Sequence, residues 1–387
     1  MFHSEFPAGA RMKIEPFTME RYQSLYEYVV EYDLAESGVH PLTLRELLGS
    51  DEATRSFLDA RLGYPQSEGT PELRETVAAL YPRASPDNVL VTNGSSEAIF
   101  CAAWRLLEKG DEIVLMQPNY QQLWGLAKTW GVKVKPLRLR EELGWQFDPE
   151  ELKKLVTKKT RAVQVCNPNN PTGSIMAGAQ RKMLLDAVED AGTWLLSDEV
   201  YQGAEREAPR TRSLWGSYEK TLVTNGLSKA YGLPGLRIGW LAGPPKMIEE
   251  LMSYHDYLTL TPTMLSDRLA RLVLEKRRRE ELLLRTRDIL RTNYPAVRDW
   301  IEAHGSLFSH VPPGAGAICY LRYALKVNST RLVERLRKEK SVLLVPGDMF
   351  GMDGYVRIGI GPPTDYLLAA LDRFDDLLRE MKAAKER

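Results

Sequence analysis

The sequence predicts an α/β protein: a large domain with a mostly parallel sheet flanked by helices, plus a smaller α+β domain. Three observations carry this. Between residues 89 and 241 short apolar runs alternate with helical stretches, the signature of a parallel sheet covered on both faces. The runs 132–137 and 162–165 are β-branched in the way buried parallel strands are. At 387 residues the chain exceeds what one core usually serves, and its texture changes near residue 285. Beyond that point strands are expected at 317–321, 342–345 and 355–360, with helices near 329–338 and 365–381.

Charge and cysteine usage narrow the class. Fifty-two basic residues balance fifty-two acidic ones, which argues against nucleic acid or an anionic membrane as partner. Cys101, Cys166 and Cys319 form no Cys-x-x-Cys pair, so a reduced, cytoplasmic setting is expected. Glu5, Arg11, Lys13 and Glu15 interrupt the N-terminus, and no apolar run approaches 18 residues. Neither a leader peptide nor a membrane span is expected. No metal-ligand cluster is read.

Residues 1–35 are expected to be an arm. Tyr22 and Tyr26, Leu25 and Val29, and Tyr28 and Tyr32 fall four apart, as on one helix face that packs on the body or on a second subunit. Gly38 follows, permitting a close backbone approach, and then His40, which is either a specificity residue or a hydrogen-bonded structural one. Thr70 and Pro71 open a helix whose buried face is Leu73, Val77 and Leu80, with Tyr64 in the loop before it. The strand 89–91 turns through Gly94, Ser95 and Ser96 into a helix 98–107. Strand, glycine turn and helix N-terminus make an anion site, although the serines could equally be N-caps.

The strand 113–116 leads to Tyr120, and 162–165 leads to Asn167-Pro168-Asn169-Asn170-Pro171-Thr172-Gly173, a rigid turn. A helix over 180–189 precedes the strand 194–197, which ends in Asp198-Glu199-Val200-Tyr201. A carboxylate at the end of a buried strand calls for a cation. After Leu222-Val223 comes Ser228-Lys229, with Arg237 eight residues past the lysine. The two are expected to face one site as a cation pair, Arg237 or desolvation lowering the Lys229 pKa so that it acts as an amine. Helices follow at 247–258, 263–277 and 286–304, and Lys276-Arg277-Arg278-Arg279 reads as a solvated face.

Ser228-Lys229-x-x-Gly232-x-x-Gly235-x-Arg237-x-Gly239 resembles the lysine motif of the fold-type I, pyridoxal-phosphate-dependent class I/II aminotransferases. Asn167 to Gly173, Asp198-Glu199-x-Tyr201 and Tyr355-Val356-Arg357-Ile358-Gly359 resemble further family motifs, and the likeness runs from about residue 36 to 360. It implies pyridoxal 5'-phosphate as cofactor, held by Lys229 as an imine. It also implies phosphate contacts from Gly94, Ser95, Ser96 and Arg237, with Ser228 as a further candidate. Tyr120 would stack on the ring, Asp198 would pair with its nitrogen, and Asn170 and Tyr201 would bond its phenolic oxygen. Gly38, Asn170 and Arg357 would bind the substrate, Arg357 clamping the α-carboxylate. Tyr64 resembles a residue that reaches the neighbouring subunit's phosphate, implying a homodimer with shared sites.

The resemblance divides the chain into an arm (1–35), a large cofactor-binding domain (49–284) and a small domain (36–48 with 285–387). It implies an aminotransferase moving an amino group between an α-amino acid and a 2-oxo acid, with Lys229, Asp198 and Tyr201 catalytic. Two departures stand out. The usual Gly-x-Pro-Asp pattern is here Gly38-Val39-His40-Pro41, and Gly226 stands where some members carry a hydroxyl residue three before the lysine, as in other members with Asn-Gly there. Ser37-Gly38-Val39-His40 is instead similar to the capreomycidine synthases, a cyclising branch of this fold, so elimination, replacement or cyclisation at the β or γ carbon is the alternative, with His40 as its candidate acid. A cofactor-binding transcriptional regulator is disfavoured, since 35 residues before the motifs leave no room for a DNA-binding module.

Overall fold

The computed structural model of the protein describes residues 14–383, so the reading of Glu5, Arg11 and Lys13 lies outside the described residues. Eight strands form the large sheet. Their order is Val89–Thr92, Gly239–Ala242, Thr221–Gly226, Trp194–Asp198, Thr160–Cys166, Glu112–Gln117, Lys133–Arg140 and Gln146–Phe147. Gly239–Ala242 is antiparallel to both its neighbours and Gln146–Phe147 is an antiparallel edge; the central pairings are parallel.

Successive side chains of a strand point to opposite faces, and here both faces are dry. Val89, Val91, Val114, Val163, Val165, Leu195 and Val223 join one core cluster. Leu90, Ile113, Leu115, Ala162, Leu196, Leu222 and Leu241 join the other, together with residues of the helices Ser95–Leu106 and Pro245–His255. This double burial is why these strands read as continuous apolar runs.

The small domain holds an antiparallel sheet ordered Phe308–His310, Ile318–Tyr323, Tyr355–Gly359, Val345–Pro346, with the helices Ser329–Lys340 and Thr364–Ala383. The strand expected at 342–345 is two short ones. Val342–Leu343 pairs in parallel with Tyr32–Asp33 of the arm, and the chain then changes partner at Val345.

Three further expectations are corrected. The arm helix, Thr18–Tyr26, stops before its tyrosine stripe is complete. Tyr22 and Tyr26 do meet, with ring centroids 5.2 Å apart, and Arg337 lies 3.8 Å over the Tyr26 ring, but Tyr28 is 90% exposed. The long helix starts at Lys276 rather than 286 and runs to Ala303, because the preceding helix Met264–Leu274 ends at an extended Glu275. Finally, the basic run is only partly solvated. Arg278 donates to the carbonyl oxygens of Glu46 (2.7 Å) and Leu47 (3.1 Å) at the end of the helix Leu44–Leu48, where orphan carbonyls need donors, and the Arg279 side chain is 16% exposed.

Candidate active site

The carboxyl ends of the parallel strands open on one cavity of about 280 Å³, as expected for an open α/β sheet. Ser95, Ser96, Tyr120, Asn170, Asp198, Tyr201, Ser228, Lys229, Arg237 and Arg357 all line it, although they lie up to 262 residues apart in sequence, from Ser95 to Arg357. Gly38, His40, Tyr64 and Gly94 are not among its lining residues. Tyr64 is 88% exposed on its own chain, and His40 turns its Nδ1 to the Gly361 carbonyl 3.0 Å away, outside the cavity wall.

At one end lies the anion cup. Gly94 has φ +83°, and a Cβ there would fall 2.5 Å from Arg237 Nη2, so only glycine lets the guanidinium lie over this turn. Ser95 and Ser96 are the first two residues of the helix, and no side chain caps it, which decides against the N-cap reading. Instead Glu97 accepts from Asn93 N–H at 2.6 Å and is itself held by Thr259 Oγ1 and His255 Nδ1, at 2.7 and 3.1 Å. Ser95 and Ser96 line the cavity at this helix start, where the first N–H groups lack intrahelical partners.

In the middle, Asp198 is 6% exposed and forms no ion pair among the described residues; burial pushes its pKa up to about 7. A carboxylate placed this way lacks a cation, and a pyridinium nitrogen would be one. Tyr201 donates its hydroxyl to Ser37 Oγ at 3.0 Å. Arg357, 1% exposed, donates Nη1 to Asn170 Oδ1 at 2.9 Å and Nη2 to the Ala35 carbonyl. Its Nε has no partner among the described residues. A glycine-only cradle around a cation, an unpaired buried carboxylate and an orphaned guanidinium nitrogen fit pyridoxal phosphate carrying an amino acid.

Lys229 and Arg237 do face one cavity, as expected, but the lowered lysine pKa is corrected. Lys229 Nζ lies 2.8 Å from Glu36 Oε1, while Arg237 Nη1 turns to the Pro234 carbonyl at 3.1 Å. Burial pushes the lysine pKa down, but Glu36 and Tyr201 outweigh it and the net shift is upward. Gly38 is also corrected. Its N–H donates to Glu36 Oε1 at 2.7 Å, beside the Ser37 N–H at 2.8 Å, and is committed inside the protein rather than offered to a substrate.

Sequence reasoning missed Glu36, Ser37 and the outer wall, where Met19, Glu20, Gln23 and Glu27 of the arm line the cavity. Their spacing of three and four marks one helix face, a signal that the tyrosine stripe obscured.

The sequence model of the class I and II aminotransferases matches residues 51–374. Capreomycidine synthase of Streptomyces vinaceus is 34% identical over 354 residues, covering 90% of this chain and 89% of that protein. Among solved structures, a PLP-dependent aminotransferase from Streptococcus suis superposes with a TM-score of 0.89 at 32% identity, covering 95% of this chain and 98% of that one. The PLP-dependent cyclase OrfR gives a TM-score of 0.87 at 27% identity, over 98% of this chain and all of that one. With the cavity built as described and the match running through most of its length, this chain belongs to the class I and II aminotransferase family of fold-type I pyridoxal-phosphate enzymes.

Proposed function

We propose that the protein is an aminotransferase that moves an amino group between an α-amino acid and a 2-oxo acid. The observation that carries this is Arg357: a buried guanidinium whose Nε has no partner among the described residues, on the cavity that Lys229 also lines. In this reading it binds the substrate α-carboxylate. Gly94, Ser95, Ser96 and Arg237 would take the cofactor phosphate, with Ser228 beside them, and Tyr120 would cover the ring. Asp198 would pair with the ring nitrogen. Asn170, whose oxygen is taken by Arg357, keeps its amide N–H groups to donate to the phenolic oxygen, with Tyr201. When bound, pyridoxal phosphate supplies the electron sink at the substrate α-carbon. Lys229 Nζ would remove the α-proton and hold it, and the covered cavity would keep that proton from bulk water.

The outer wall supports a substrate class. Glu20 and Glu27 line it, and like charges would oppose an acidic side chain, so uncharged or cationic amino acids fit better than aspartate or glutamate. A second reading, elimination, replacement or cyclisation at the β or γ carbon, is favoured by the 34% identity to capreomycidine synthase. Product analysis separates the two. Loaded protein is incubated with a panel of amino acids and a 2-oxo acid acceptor, and products are identified by mass. A new 2-oxo acid with amino transfer supports transamination; ammonia or a cyclised amino acid moves the assignment to the second reading.

We also infer a homodimer in a reducing, cytoplasmic setting. Leu62 and Tyr64 are 81% and 88% exposed, and Tyr257 is 84% exposed on a segment tied to theirs by His255 Nε2 against the Ser67 carbonyl. Apolar surface of this kind favours a second copy, which Tyr64 would then serve. Three buried free thiols suit a reducing compartment. Sedimentation at micromolar concentration tests the dimer, a monomer counting against it.

A further inference from the structure

Glu36 has no role in the functional reading so far, yet it is the acidic partner of Lys229. Its Oε1 collects three donors: Ser37 N–H at 2.8 Å, Gly38 N–H at 2.7 Å and Lys229 Nζ at 2.8 Å. The two backbone donors fix the carboxylate before the lysine arrives, and the second of them is itself constrained. A Cβ at Gly38 would lie 3.2 Å from Glu36 Oε1 and 3.3 Å from the Ser228 carbonyl, so this turn packs directly on the lysine segment. Glu36 is therefore a preorganised acceptor aimed at one atom.

We propose that Glu36 is a latch for Lys229: a positioning residue that receives Nζ as an ammonium in the cofactor-free protein. This rests on cofactor attachment at Lys229, not on which reaction follows. The latch sets a condition on attachment. An ammonium has no lone pair, so Nζ must leave Glu36 and lose a proton to water before the new C–N bond forms. The aldehyde oxygen then departs as water. Attachment is thereby gated by breaking the pair.

The surrounding charges support this sign. Tyr201, Asp198 and Arg357 also face Lys229, and Arg357 opposes the ammonium while Tyr201 favours it. Glu27 and Asp33 face Glu36, and Lys229, the Gly38 N–H and Arg357 together hold the Glu36 carboxyl down at about 2, against a desolvation that would raise it.

Two measurements test the latch. In the first, cofactor-free wild-type protein is reductively methylated at a series of pH values, and labelling of the Lys229 peptide is followed by mass spectrometry. An apparent pKa above the ordinary lysine value of about 10.4 is expected; a value at or below it overturns the proposal. In the second, the rate at which pyridoxal phosphate develops its lysine-bound absorbance is measured against pH for wild type and Glu36→Gln. The profile of Glu36→Gln should move at least one unit to lower pH, so that loading near neutrality is about tenfold faster, with Glu36→Asp between the two. Coincident profiles, or slower loading of Glu36→Gln at every pH, would sink it. The first measurement needs no variant, so a misfolded Glu36→Gln leaves the question decidable, and neither depends on transamination being the reaction.

Discussion

Arg357 Nη1 donates to Asn170 Oδ1 across 2.9 Å, joining the strand Tyr355–Gly359 of the small domain to the turn that ends a central strand of the large sheet. Both residues are almost wholly buried, so the bond runs through the floor of the cavity. It orients the guanidinium and fixes which atoms of Asn170 remain to donate.

Arg357→Lys should therefore damage substrate binding far more than cofactor binding. A lysine keeps the charge but loses the fork and the bond to Asn170. Losing charge-assisted bonds of roughly 1.5–3 kcal/mol corresponds to about 10–100-fold in KM for the amino acid. Steady-state kinetics beside equilibrium dialysis of pyridoxal phosphate separate the two, and equal losses in both would contradict the assigned role.

Asp198→Asn should have opposite effects on stability and on chemistry. The folded-state pKa of about 7 lies above the carboxylate's ordinary value of 3.8, so the folded protein holds this proton more tightly than the unfolded chain. The associated stability is present in full below pH 3.8 and is lost as pH rises through 7. In cofactor-free protein at pH 8, Asp198→Asn should raise Tm relative to wild type, and the gap should shrink as the pH is lowered. The same variant should slow α-proton exchange by orders of magnitude, since a neutral amide does not hold a pyridine nitrogen protonated. Calorimetry over a pH series and deuterium uptake at the α-carbon read out the two arms.

Gly94→Ala tests the anion cup. The new methyl group would meet Arg237 Nη2 at 2.5 Å in a backbone conformation with φ +83°. Strain of about 1–3 kcal/mol, together with displacement of the guanidinium, should weaken pyridoxal phosphate binding at least tenfold. Pyridoxal without its phosphate should lose little, and a comparable loss for both would place the fault elsewhere.

His40→Ala should leave turnover within about twofold of wild type, because the ring is bound to the Gly361 carbonyl and lies off the cavity. Loss of a product other than a 2-oxo acid in this variant would restore the histidine to the chemistry.

The parallel sheet was legible because each central strand is buried on both faces, which forces a run such as Ile113 to Leu115 to be apolar. Asp198 and Lys229 were legible for a related reason: a charge at the end of such a run has few bland explanations. The partner of Lys229 was not. Glu36 lies 193 residues away, and no local pattern couples a glutamate before a glycine to a distant lysine. Arg237 seemed the natural neighbour by spacing, but the 3₁₀ turn Pro234–Leu236 carries it to the Gly94 side instead. The start of the long helix at Lys276 was hidden by its charge, since a polar first turn lacks the apolar period that marks a helix.

The arm helix carries part of the cavity wall on nine residues, Thr18–Tyr26, held by Arg337 over Tyr26 and by Phe17 edge-on to Tyr120 at 4.9 Å. Glu20 and Gln23 of the same helix line the cavity, Glu20 beside the Tyr120 ring. Exchanging these few wall positions would retune which side chain is admitted while the sheet ends stay as they are, and the same arrangement would let relatives diverge in substrate through a short N-terminal cassette.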